Sequence, residues 1–216
     1  METKLISNNS ENLIVFLTGW GCDDNQFELL SPKNCDVLIC YDYSSLDFLF
    51  DFSQYKNFYL ITFSAGVFMA GVLKEKFPIF KKTIAINGNP LAYDKYFGLS
   101  KEVIKAFSEI SKENVFEFRR KYLVYDEKEF IQFNRFQSKR TIESSREELF
   151  ALQKYSQQEV VPLDFDISIL SDKDKVFNPS RQKEYWEKKA KKCIYLKNSG
   201  HFPFFRWNNY DEIINL

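Results

Sequence analysis

The sequence predicts an α/β fold: a mostly parallel, twisted sheet flanked by helices, with a helical cap inserted after the fourth recognisable strand. Three observations lead there. Short runs that are apolar at every position recur along the chain, as expected for strands covered on both faces. One of them passes through a sharp turn into a helical segment and then on to another run, which is a βαβ unit. A long block in which charged and apolar residues interleave at helical spacing separates the early runs from the late ones.

The first run, Leu13-Ile14-Val15-Phe16-Leu17, ends at Thr18-Gly19-Trp20-Gly21, a strand running into a tight loop. Asp36–Tyr41, Phe58–Phe63 and Thr83–Asn87 follow; they are β-branched and aromatic and bounded by polar residues or glycine. After Phe63 the pattern turns helical from Ser64 to Lys76 and is closed by Pro78. From Leu99 to Glu159 apolar positions such as Val103, Ile104, Phe107 and Ile110, and later Leu149, Leu152 and Tyr155, fall near helical spacing, and no proline occurs between Pro90 and Pro162. This predicts a cap over residues 99–159 and a core formed by 1–98 and 160–216. The sheet resumes at Asp166–Ser171, followed by a helix over Pro179–Lys189, the strand Cys193–Leu196, a Gly200-His201-Phe202-Pro203-Phe204 loop and a short C-terminal helix.

Composition removes several classes of function. Thirty Lys+Arg balance thirty Asp+Glu over 216 residues, so no global basic field marks a nucleic-acid binder. With 44% hydrophobic residues, 23 of them Phe, the chain has material for a large core. No apolar run approaches the roughly 20 residues that span a bilayer, and Met1-Glu2-Thr3-Lys4 lacks the apolar stretch of a signal peptide. Cys22, Cys35, Cys40 and Cys193 form no close pair, which speaks against structural zinc and a disulfide framework. Reduced thiols in a cytoplasm are the simplest expectation.

The chemistry-bearing residues occur in an informative order. Ser64 stands where a strand turns into a helix, followed two residues later by Gly66, as in a nucleophile elbow. The usual pattern is Gly-x-Ser-x-Gly, and here the β-branched Thr62 replaces the first glycine and must be tolerated by repacking. A serine after a strand is, on its own, more often a helix N-cap. What raises this one is its succession by an acid after a late strand and then a histidine, the chain order of a Ser-acid-His triad. Asp174, just ahead of a proline-started helix, fits the acid best, and Asp172 is the runner-up, better suited to a solvated turn. His201 is the only histidine and follows the last strand. An oxyanion hole would use the amides of Ala65, next to the nucleophile, and of Trp20, between two glycines. Trp20 could equally pack as a core aromatic.

These residues place the chain among α/β-hydrolases. Phe16–Gly21, Leu38–Tyr43, Ile86-Asn87-Gly88 and Asp172–Pro179 with Gln182, Tyr185 and Trp186 together resemble the BioG family, short pimeloyl-acyl-carrier-protein methyl ester esterases of biotin synthesis. The resemblance runs over essentially the whole chain. It implies a serine carboxylesterase with the triad Ser64, Asp174 and His201, no cofactor or metal, and an acyl carrier protein bearing methyl-pimeloyl phosphopantetheine as partner, with neither nucleic acid nor membrane involved. The carrier is acidic, so local cations should meet it. The predicted cap carries 12 Lys+Arg against 11 Asp+Glu and has no net basic charge. Arg119, Arg120 and Lys121, or Arg135, Lys139, Arg140 and Arg146, are the candidates, and Phe116, Phe118, Phe130 and Phe133 could line an acyl slot or simply pack. A generic small-ester hydrolase or thioesterase remains the alternative, and a non-catalytic hydrolase-fold binding protein a more distant one.

Overall fold

A computed structural model describes all 216 residues. In chain order the elements are β1 (Glu2–Ile6), β2 (Asn12–Leu17), β3 (Asp36–Tyr41), β4 (Asn57–Phe63), α1 (Ala65–Val72), β5 (Lys82–Ile86), α2 (Lys101–Ser108), α3 (Val115–Tyr122), α4 (Glu127–Phe133), α5 (Ile142–Tyr155), β6 (Ile167–Ser171), α6 (Pro179–Lys189), β7 (Lys192–Leu196) and α7 (Tyr210–Ile214). The seven strands form one sheet in the order β1-β3-β2-β4-β5-β6-β7. All neighbours are parallel except β1, which pairs antiparallel with β3 from Glu2 opposite Tyr41 to Ile6 opposite Val37.

The continuous apolar runs are explained by burial on two sides. Strand residues alternate between the two faces of a sheet. Leu13, Val15 and Leu17 accordingly join one core cluster with Val67, Met69 and Trp186, from α1 and α6. Ile14 and Phe16 point the other way into a second cluster with Phe27, Phe202, Phe204 and Tyr210. This second face carries less regular helix: 3₁₀ turns at Asp24–Phe27 and Phe204–Arg206, the five-residue α7 and the Phe130 and Phe133 side chains of α4 cover it. Aromatic edges supply the cover instead. Phe16 meets the edge of Phe27 at 4.6 Å, and Phe27 that of Phe204 at 5.0 Å. A buried phenylalanine contributes about 1.5–3 kcal/mol through burial alone, so a few rings can do the work of a helix.

Helix starts follow local chemistry. Ser100, Asp126, Thr141 and Asn178 each accept a backbone N–H of the first turn they precede, a contribution of about 1 kcal/mol apiece. The helical run after Ser64 ends sooner than its apolar pattern suggests. α1 stops at Val72, and Lys74–Lys76 forms a 3₁₀ turn.

β1 has no counterpart among the strands expected from the sequence. Glu-Thr-Lys-Leu-Ile is mostly exposed, and only pairing along β3 makes it a strand. Its return is tied by Asp36, whose carboxylate accepts the N–H of Asn8 (2.8 Å) and Ser10 (3.0 Å) and the hydroxyls of Tyr55 (2.9 Å) and Ser7 (3.1 Å). Burial alone would raise the Asp36 carboxyl, but these donors outweigh it and hold the group below its ordinary 3.8. A depressed carboxylate stabilises the fold above its unfolded value and loses that contribution as pH falls through the lower folded value. Asp36→Ala should therefore lower unfolding free energy at neutral pH by roughly 2 kcal/mol, a drop in Tm of about 4–8 °C at this chain length. In thermal melts the gap from wild type should narrow as the pH is taken below 3.8.

Candidate active site

The site forms where the C-terminal ends of the parallel strands meet the α2–α5 segment. Ser64 follows β4 with φ 54° and ψ −117°, outside the regions a non-glycine residue usually occupies. Holding a residue there costs about 1–3 kcal/mol. Its hydroxyl makes no capping bond to α1, so Ser64 is not the ordinary N-cap that its position allows. The strained turn fits because its neighbours leave room. A Cβ on Gly66 would collide with the Leu17 carbonyl, and one on Gly88 with the Ser64 carbonyl. Thr62 is accommodated sideways: its hydroxyl donates to the Ile84 carbonyl of β5 at 3.0 Å.

The three residues expected to act together are adjacent. His201 Nε2 lies 2.9 Å from Ser64 Oγ, and His201 Nδ1 lies 2.9 Å from Asp174 Oδ2. All three residues are buried. Asp174 is fixed in turn, since its Oδ1 accepts the N–H of Val176 (2.7 Å) and Phe177 (3.1 Å). Asp172 is elsewhere, accepting the Ser199 amide at 3.3 Å and facing solvent beside Lys173. The His201 loop is anchored by Asn87, which the sequence reading left without a role. Its side-chain amide donates to the carbonyl of His201 (2.8 Å) and the hydroxyl of Ser171 (2.8 Å), and its oxygen accepts the Ser171 amide. An Asn-Gly pair directly after a strand is the signal that the sequence offers.

The amides of Trp20 and Ala65 find no acceptor within the chain. Trp20 also packs: its ring stacks on Phe107 at 4.5 Å, and its indole N–H donates to the Ser145 carbonyl at 2.6 Å. Two cavities adjoin Ser64, sharing Trp20 and Phe107 as walls. The larger, about 70 Å³, is lined by Phe118, Phe133, Ile110, Arg119 and His201 among others. The smaller, about 20 Å³, is walled by Phe68, Tyr93, Leu149, Leu152 and Phe177. Of the four phenylalanines considered for a slot, Phe118 and Phe133 line the larger cavity. Phe130 is buried against Phe116, which is half exposed.

The candidate carrier-binding cations separate by environment. Arg120, Lys121, Arg135 and Lys139 are exposed. Arg119 faces the larger cavity without a carboxylate partner, and burial pulls its guanidinium down from its ordinary value. Arg146 is partly buried and donates to the Ile110 carbonyl at 2.6 Å. Arg140 must be withdrawn as a docking residue. Its side chain is only 7% exposed and is consumed internally by Glu148 (2.6 Å) and Asp42 (3.0 Å). A linear charge count cannot tell a cation that faces solvent from one that neutralises a buried carboxylate.

Comparison with known proteins shows the family to which the chain belongs. A profile of the pimeloyl-ACP methyl esterase BioG family matches residues 1–213. The chain belongs to the BioG family. An uncharacterized protein of Haemophilus influenzae is 31% identical over 218 residues, covering 99% of both chains. The crystal structure of BioG from Haemophilus influenzae superposes with a TM-score of 0.87 at 28% identity, over 99% of this chain and 100% of that one. A malonyl-[acyl-carrier protein] O-methyltransferase of Bacteroides fragilis is 31% identical over 179 residues, which are 81% of this chain but 36% of that longer protein. An esterase from Exiguobacterium antarcticum, at 17% identity and TM-score 0.64 over 98% of this chain and 90% of that one, shares the fold. This BioG-family chain has the α/β-hydrolase fold, and its family makes it a carboxylic ester hydrolase. No helix is long and apolar enough to cross a membrane.

Proposed function

We propose that this chain is a serine carboxylesterase that hydrolyses the methyl ester of pimeloyl-acyl carrier protein in biotin synthesis, with Ser64, His201 and Asp174 as its triad. The observation that carries this reading is the unbroken 2.9 Å and 2.9 Å relay from Ser64 through His201 to Asp174 in a chain of the BioG family. His201 Nε2 takes the Ser64 proton as Oγ attacks the ester carbonyl. Asp174 keeps Nδ1 protonated and favours the imidazolium that forms. The carbonyl oxygen, now an oxyanion, accepts the N–H groups of Trp20 and Ala65, with the N-terminus of α1 beneath it. Collapse of this intermediate breaks the bond to the methoxy oxygen, which leaves as methanol with the proton from His201. Water, deprotonated by His201, then attacks the acyl-serine ester and releases the free carboxylate and Ser64. No step calls for a cofactor or metal.

The helices α2–α5 act in this reading as a cap over 99–159 on a core of 1–98 and 160–216. The two cavities flanking Ser64 give the two sides of an ester separate places. The acidic carrier would meet exposed cations of the cap, among them Arg120, Arg135 and Lys139, with Arg119 and Arg146 deeper in the surface. Such a reaction places the chain in the cytoplasm, where carrier-bound acyl chains are made.

The reading is tested in a bacterium that lacks its own pimeloyl-carrier methyl esterase and needs added biotin. Expression of this chain should restore growth without biotin, and Ser64→Ala should not. Failure of the wild-type chain, made in folded form, would contradict the assignment.

A further inference from the structure

The α5 helix places a carboxylate where the proposed chemistry has no use for one. Glu148 is fully buried, and burial drives its carboxyl up against the opposing influence of Arg140 and two backbone amides. Its Oε2 accepts the Gly21 N–H at 2.8 Å and a guanidinium N–H of Arg140 at 2.6 Å, while Oε1 accepts the Tyr43 N–H at 3.0 Å. Arg140 is itself immobilised, donating to the Cys22 carbonyl (3.3 Å), to the Ser144 carbonyl (3.2 Å) and to Asp42. A buried ion pair of this kind seldom adds net stability over an apolar pair of similar volume, so its placement calls for another account.

That account lies in the loop it grips. Gly19 to Cys22 is a tight turn, closed by the Cys22 N–H to the Gly19 carbonyl at 3.3 Å, with Gly21 at φ +69°. Gly21 next to Trp20 is the residue Glu148 holds, and Ser145, one helical turn earlier on α5, holds the Trp20 indole. The turn is therefore clamped from one helix face on both sides of the Trp20 Cα. We infer that Glu148, locked by Arg140, is a positioning residue that aims the Trp20 N–H at the oxyanion. This rests on the triad reading above and adds that one of the two donors is set by the cap rather than by the sheet. Ser145, Glu148, Leu149 and Leu152 form the buried stripe of α5, and a Glu within such a stripe is the sequence mark of the clamp.

Glu148→Gln keeps the shape but removes the charge that locks Arg140 and leaves one acceptor oxygen for three N–H partners, so the clamp is broken whichever way the amide turns. With a p-nitrophenyl ester, kcat should fall about 10²–10³-fold, the cost of losing one oxyanion donor, while KM stays close to wild type. A trifluoromethyl ketone, whose hemiketal oxygen occupies the same position, should lose affinity in step with kcat/KM, whereas the carboxylate product should bind as before. Arg140→Lys, which keeps the charge but loosens the lock, should show a smaller loss of the same kind and covers the case in which the glutamine variant does not fold. Unchanged kcat in folded Glu148→Gln, or a loss shared equally by KM and product binding, would overturn the inference. Wild-type protein that hydrolyses no ester, or a Ser64→Ala variant that still does, would instead overturn the triad reading.

Discussion

Ser64→Ala is expected to abolish ester hydrolysis, with kcat falling about 10⁶-fold, since a nucleophile and its base act as one unit and loss of either removes most of the rate. The variant should fold as well as wild type. Ser64 makes no helix cap, and its Oγ has one side-chain partner, His201. Substrate should still bind, because the rest of the lining of both cavities is untouched. Steady-state kinetics beside a thermal melt checks both halves. A folded variant that retains more than a trace of activity would mean that another group attacks the ester.

Asp174→Asn should lower kcat by about 10⁴-fold, the cost of presenting the wrong imidazole tautomer to the nucleophile. An asparagine amide facing Nδ1 donates where the carboxylate accepts, so Nδ1 must accept and Nε2 carries the proton, leaving Ser64 without a base. The same substitution at Asp172 should leave kcat essentially as it was, because that carboxylate bonds the Ser199 amide at the surface and does not touch His201. Comparing the two variants on one ester separates the two acids. Equal losses, or a larger one at Asp172, would reject the placement of Asp174.

The parts that were legible in the sequence are those set by local pattern. Apolar runs such as Leu13–Leu17 announce buried strands because both of their faces meet core, and the burial of alternate residues in two separate clusters is the reason. That Ser64, Asp174 and His201 come together could be read because strand-end loops of a parallel sheet converge at one edge. What escaped depends on partners distant in the chain. β1 is a strand by virtue of β3 alone. Asn87 owes its role to Ser171 and His201, more than 80 residues away. Arg140 looked like a surface cation because nothing nearby in sequence reveals that it faces Glu148 and Asp42 inside the protein. Thr62, which breaks the glycine pattern, finds its compensation on the neighbouring strand.

The most direct measurement is the intact mass of methyl-pimeloyl-acyl carrier protein before and after incubation with the purified enzyme, with methanol assayed in the same reaction. The carrier should lose the mass of one methylene group, replacing a methyl ester by an acid, while methanol appears in equal amount and the thioester stays whole. A carrier returned with its free thiol, or one left unchanged by an enzyme that cleaves small aryl esters, would contradict the account.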